Sequence, residues 1–134
     1  MENESPNIVL GHHAIIDLSG CSSEIINDHK LVYDILVQTA QIAKVTVVGS
    51  LDRSFTPQGY TAILVLEESH LSIHTWPEYN HVSIDLYSCN LQTDFHAIKD
   101  FLVEKFQAVI TKFTLLKRGS LKVANANGCL ILEK

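Results

Sequence analysis

Leu71-Ser72-Ile73-His74-Thr75-Trp76 and His81-Val82-Ser83-Ile84-Asp85-Leu86-Tyr87-Ser88 flank the turn-forming stretch Pro77-Glu78-Tyr79-Asn80. Apolar and polar residues alternate on both sides of it. Successive strand side chains point to opposite faces, so this pattern predicts two half-buried strands joined as an antiparallel hairpin. A loop centred on residues 77–80 sets the register. It puts Trp76 opposite His81, His74 opposite Ser83, His70 opposite Tyr87, and Cys89 near Glu68. Leu71, Ile73, Ile84 and Leu86 then share a core face. His70, Ser72, His74, Asp85, Tyr87 and Cys89 share the opposite one.

Working outward, Ile8–Leu18 reads as a strand closed by Ser19-Gly20. Leu31, Val32, Ile35, Leu36, Ile42 and Ala43 recur with helical spacing, predicting a helix from about Asn27 to Ala43 capped by Asn27 or Asp28. Val45–Val48 reads as a short buried strand, Gly49 to Gly59 as a polar connection, and Ala62–Leu66 as another strand. Thr93 is the expected cap of a second helix running to about Lys112, its buried stripe formed by Phe95, Ile98, Leu102, Phe106, Val109 and Phe113. Phe113–Leu116 and Gly128–Leu132 read as closing strands. The order β-α-β-β-β-β-α-β-β predicts an α+β fold, a two-layer α/β sandwich with a mainly antiparallel sheet and both helices on one face. The polar sheet face then requires water or a partner.

A chain of 134 residues fits one domain with a core of its own, and 46% hydrophobic residues excludes disorder. Its formal charge of −5, with no Lys/Arg cluster, argues against nucleic acid and anionic membranes and leaves small molecules as ligands. Cys21, Cys89 and Cys129 are odd in number and contain no Cys-x-x-Cys pair, so neither a disulfide framework nor a structural zinc site is expected. Met1–Pro6 is acidic and polar, and no run of about 18 apolar residues occurs, which predicts a soluble, cytoplasmic protein.

Reactive side chains concentrate around the Glu68-Ser69 bond. A serine hydroxyl can attack the carbonyl of the preceding residue when the backbone is held strained and a nearby group, here His74, manages protons. Elimination from the resulting ester leaves dehydroalanine, which hydrolyses to a pyruvoyl group. Such an α-keto amide forms a Schiff base with an amine and accepts electrons as carbon dioxide leaves. Blander readings stand beside this one. His12 and His70 suit hydrogen-bonded structural roles. His70, His74 and Cys89 are metal-ligand types, but His-x3-His spaces its side chains by about 13 Å along a strand, so no metal is expected. Cys21 and Cys129 suit small buried hydrophobes, and Phe55 and Trp76 suit either core or a stacking surface.

Glu68–Glu78, with Asp85 and Cys89 downstream, resembles the signature of the small bacterial and archaeal S-adenosylmethionine decarboxylase proenzymes, pyruvoyl-dependent enzymes of spermidine biosynthesis. The likeness extends to the stretch from Gly11-His12-His13 through Gly20-Cys21 and to Phe55-Thr56-Pro57-Gln58-Gly59, covering roughly residues 11–90. It implies cleavage between Glu68 and Ser69 into residues 1–68 and 69–134, with Ser69 becoming the pyruvoyl group. It also implies that His74 removes a proton during processing and that Cys89 protonates the substrate α-carbon. Phe55 and Trp76 would stack on adenine and meet the sulfonium, and Glu78 would accept from the ribose hydroxyls. A homodimer with facing sheets, α/β/β/α, and sites shared between subunits is implied as well.

The chain departs from the family pattern in three places. Thr61-Ala62 stands where Ser-Gly is usual, and that serine supports processing; Thr61 keeps the hydroxyl on a stiffer side chain. Asn90 stands in a usual glycine position, where its tolerance of positive φ would preserve the turn. Tyr60 replaces a small aliphatic residue near the expected pocket. Because relatives of this family can use basic amino acids, ornithine or arginine is the alternative substrate. An unprocessed, non-catalytic homologue is the third possibility.

Overall fold

The computed structural model describes residues 7–126 and 129–132, with side chains described as far as residue 122. Strand β1 (Asn7–Ser19) is followed by the short helix α1 (Ser23–Ile26) and helix α2 (His29–Ile42). Strands β2 (Val47–Ser54), β3 (Tyr60–Leu66), β4 (Ser69–Trp76) and β5 (His81–Ser88) come next, a 3-10 turn at Pro77–Tyr79 joining the last two. Helix α3 (Phe95–Phe106) leads to β6 (Ile110–Ala126) and β7 (Cys129–Leu132). The strands form one sheet in the order β2-β3-β4-β5-β1-β6-β7, each neighbouring pair antiparallel. This is the expected α+β class.

The quoted hairpin has the predicted register: Trp76 pairs with His81, His74 with Ser83 and His70 with Tyr87. Asn80 closes the turn with φ 52°, a left-handed conformation that asparagine tolerates, and its side-chain amide donates to the Cys21 carbonyl. Alternate residues of each central strand are buried: Ala14, Ile16 and Leu18 on β1, Leu71 and Ile73 on β4, and Val82, Ile84 and Leu86 on β5. They pack with Val32, Ile35 and Leu36 of α2 and Ile98, Leu102 and Phe106 of α3 in a single apolar cluster. Both main helices therefore cover one sheet face. Among the described residues nothing covers the other, and no helix is long and apolar enough to cross a membrane.

The first helix stands as expected, and three other expectations need correction. The helix expected from about Asn27 to Ala43 is α2, and the Asp28 carboxylate caps it as anticipated by accepting from the Leu31 N–H at 3.1 Å, while the short α1 that ends at Asn27 was not expected. The second helix is capped by Asp94, since the Thr93 hydroxyl is turned to the Ala43 carbonyl. It stops at Phe106, where Gln107 turns left-handed, so Val109 lies outside it and the β-branched run that follows extends strand pairing with β1. The strand expected at Val45–Val48 is instead the exposed edge strand β2, which takes up half of the predicted polar connection. Hydrogen bonds from His29 to Ser54 and from Tyr33 to Ser50 fasten it to α2. Finally, Tyr60 is buried on the helix side of β3, donating to Asp52 at 2.5 Å, and so does not border the cleft beside Thr61.

Candidate active site

The chain turns between β3 and β4 through Glu67-Glu68 alone, because Leu66 already pairs with Ser69. Two-residue hairpins favour positive φ at the loop residues, usually with Asn or Gly. Here neither glutamate adopts it, and the positive φ falls on Ser69, at 151°. For a residue with a side chain this costs about 1–3 kcal/mol and persists only where the surroundings enforce it. The enforcing contacts are visible. Glu67 N–H donates to the Thr46 carbonyl, and Thr46 N–H donates back to the Glu68 carboxylate, both at 3.0 Å. On the other side, Cys89 N–H donates to the Glu68 carbonyl oxygen at 3.3 Å. The strained peptide thus carries a serine hydroxyl after the carbonyl and a main-chain donor on the oxygen that would become negative under attack, the arrangement that stabilises an oxyanion.

Cys89 is exposed beside this bond, as the register predicted. Asn90 keeps a negative φ, so a left-handed residue is not what the turn needs. Its side chain instead bridges the Lys44 carbonyl and the Gln92 N–H.

At the opposite end of β4, Phe55, Gln58, Thr61, His74, Trp76 and Glu78 line a cleft of about 290 Å³. The Thr61 hydroxyl lies 3.0 Å from His74 Nδ1, and among the described residues no hydrogen bond engages Nε2. Gln58 donates to the Glu78 carboxylate at 2.9 Å, and Phe55 and Trp76 are 44% and 40% exposed, large aromatic faces available for stacking. One chain therefore gathers the expected residues into two groups. Glu68, Ser69 and Cys89 form one; Phe55, Thr61, His74, Trp76 and Glu78 form the other. Five residues of strand, roughly 17 Å, separate Ser69 from His74, so within one chain His74 does not reach the serine.

The comparisons with known proteins decide the family. The sequence model described as S-adenosylmethionine decarboxylase matches residues 12–119. The chain belongs to the S-adenosylmethionine decarboxylase family. The S-adenosylmethionine decarboxylase proenzyme of Moorella thermoacetica is 36% identical over 117 residues, 87% of this chain and 94% of that protein. The proenzyme of Pyrococcus furiosus is 33% identical over 110 residues, 82% of this chain and 79% of that one. The crystal structure of the adenosylmethionine decarboxylase from Aquifex aeolicus superposes with a TM-score of 0.76 at 28% identity, covering 83% of this chain and 92% of its own.

Between the two groups lies a polar cluster that the sequence reading of this decarboxylase-family chain did not assemble. Asp85 Oδ2 accepts from His13 Nε2 at 2.8 Å and His70 Nε2 at 2.9 Å, while Ser72 donates to Oδ1. Burial pushes the Asp85 pKa up, but the hydrogen bonds from Ser72, His13 and His70 outweigh it and leave the carboxylate below its ordinary range. The signal was half present, since Ser72 and Asp85 oppose each other in the predicted hairpin. His13 comes from β1, whose register no local pattern gives. The ligand-type atoms of His13, His70 and Asp85 lie within 4.8 Å of one another. Their hydrogen bonds, however, suit one another better than an ion. Arg118 stands 2.9 Å from His13 Nδ1, and a guanidinium only donates, so His13 carries its proton on Nε2 and spends it on Asp85.

Proposed function

We propose that the protein is a self-processing decarboxylase of S-adenosylmethionine that makes decarboxylated S-adenosylmethionine for spermidine biosynthesis in the cytoplasm. The observation that carries this reading is the strained Ser69 after a Glu68 carbonyl that already accepts from Cys89 N–H. Attack of Ser69 Oγ on that carbonyl carbon moves the Glu68 acyl group from nitrogen to oxygen, and Cys89 N–H meets the charge that develops. Removal of the Ser69 α-proton then expels the Glu68 carboxylate, dividing the single domain into residues 1–68 and 69–134. The elimination leaves dehydroalanine at position 69, and its hydrolysis by one water releases ammonia and leaves a pyruvoyl group, which supplies a carbonyl for the substrate amine and draws electrons from the α-carbon as carbon dioxide leaves.

His74 is the proton acceptor of processing, held through Nδ1 by Thr61. The distance between Ser69 and His74 along β4 supports a homodimer in which a second copy presents its His74 to this Ser69. The open sheet face supports the facing-sheet α/β/β/α arrangement that permits this. In that dimer Phe55 and Trp76 sandwich the adenine and attract the sulfonium, Glu78 binds the ribose diol, and Cys89 donates the proton to the α-carbon. The Moorella thermoacetica and Pyrococcus furiosus relatives, both named S-adenosylmethionine decarboxylase proenzymes, favour that substrate over ornithine or arginine.

Intact mass analysis of purified protein, joined to a carbon dioxide release assay with the three substrates, tests the reading. Two fragments split after Glu68, the second beginning with pyruvoyl, and gas from S-adenosylmethionine are expected. A single uncut chain, or gas from ornithine or arginine only, overturns it.

A further inference from the structure

Asp85 holds two imidazoles, and the groups around them make them chemically unequal. His13 has both nitrogens committed: Nε2–H to Asp85, and Nδ1 beside the Arg118 guanidinium at 2.9 Å. A proton added at Nδ1 would set one N–H donor against another and one cation against another. His70 donates from Nε2 to the same carboxylate oxygen, but among the described residues no hydrogen bond engages its Nδ1. His70 is therefore the imidazole of this cluster with a ring nitrogen left uncommitted, and the Asp85 carboxylate orients its ring through the other. The groups facing it are few: Asp85 and Tyr87 from β5, His13 from β1 and Arg118 beyond it on β6, with apolar Val65 as its β3 neighbour. Tyr87 pairs directly with His70, its ring stacked at 6.2 Å.

The same pairing places Cys89 two residues beyond Tyr87, diagonal to His70 across the ladder, and at the scissile bond. Diagonal neighbours of an antiparallel pair lie about 7–8 Å apart at the backbone, within reach of a long side chain. We propose that His70, oriented by Asp85, is the positioning and proton-supplying residue for the Cys89 thiol. This inference rests on the reading of Cys89 as proton donor to the substrate. In the turnover step, the bond from the α-carbon to the carboxylate breaks and its electron pair stays on the carbon. The Cys89 S–H bond breaks as a C–H bond forms, leaving a thiolate. His70 Nδ1–H then returns a proton to sulfur, and His70 recovers one from water. The balance is one proton consumed and one carbon dioxide released.

The test joins kinetics to a measurement that needs no cofactor. In mature enzyme, His70→Gln is expected to lower kcat roughly 10- to 100-fold with KM nearly unchanged, and to abolish the pH dependence of kcat near neutrality. His13→Gln removes a hydrogen bond to the same Asp85 but should keep that pH dependence. In the uncut Ser69→Ala protein, alkylation of Cys89 by iodoacetamide at pH 6.5 should slow about tenfold when His70→Gln is added, with the rates converging at pH 10. Equal alkylation rates with and without His70, or an unchanged pH profile of kcat, overturn the proposal. Loss of the alkylation effect speaks against His70 alone. An intact alkylation effect beside a Cys89→Ala enzyme that turns over normally speaks against Cys89 as donor, so the two failures are separable.

Discussion

Replacing Ser69 by glycine and, separately, by alanine tests whether its backbone conformation stores energy. Both variants lack the hydroxyl, so neither can cleave, and both can be compared as full-length chains. Alanine retains a Cβ at φ 151° and keeps the strain of about 1–3 kcal/mol, whereas glycine adopts that φ freely. Against this, glycine gives the unfolded chain more freedom, at a cost of about 0.5–1 kcal/mol relative to alanine. The net expectation is that Ser69→Gly is more stable than Ser69→Ala by about 0.5–2 kcal/mol, opposite to the usual order in a strand. For a chain of 134 residues, about 3–4 °C of melting temperature corresponds to each kcal/mol. Calorimetry at equal protein concentration should therefore find Ser69→Gly melting about 2–7 °C higher. An alanine variant that melts above the glycine variant would show that any strain at Ser69 is smaller than the cost of glycine's added chain freedom, too little to help drive the acyl shift.

Cys89→Ala should leave cleavage intact, because processing uses the main-chain N–H of residue 89, while turnover falls about 10²–10⁴-fold; mass analysis and carbon dioxide release read the two effects separately. Cys21 is 3% exposed, and burial, only partly offset by a hydrogen bond from the Val82 backbone, pushes its thiol up to about 11, so iodoacetamide at pH 8 should label Cys89 and spare Cys21 in the folded protein. Peptide mapping that finds Cys21 labelled at a comparable rate contradicts its burial. The lowered pKa of Asp85 means that its stabilising contribution is complete above the unfolded-state value near 3.9 and is lost as pH falls through the folded value. Urea unfolding should accordingly show the wild type losing more stability than Asp85→Asn between about pH 4 and pH 2, although the variant is the less stable at pH 7.

What the sequence made legible, and what it did not, divides along the range of the interactions involved. The β4–β5 hairpin and its faces followed from a period-two pattern and a turn, both local, and the Glu68–Ser69–Cys89 grouping came with them because it needs only that register. The ends of the second main helix did not, because Thr93 and Asp94 are both capping residues and only the surrounding contacts choose between them. The exposed β2 was misread because an edge strand has one partner and needs no apolar face of its own. His13 was missed for a deeper reason. It meets Asp85 across 72 residues of chain, through the β1–β5 ladder that carries no turn to fix its register. The separation of Ser69 from His74 has the same origin in reverse: residues close in sequence lie far apart because a strand is the most extended form a chain can take. A motif compact on paper is thus stretched over two ends of one sheet, which is why the proposed function brings its ends together by laying a second, identical sheet across it.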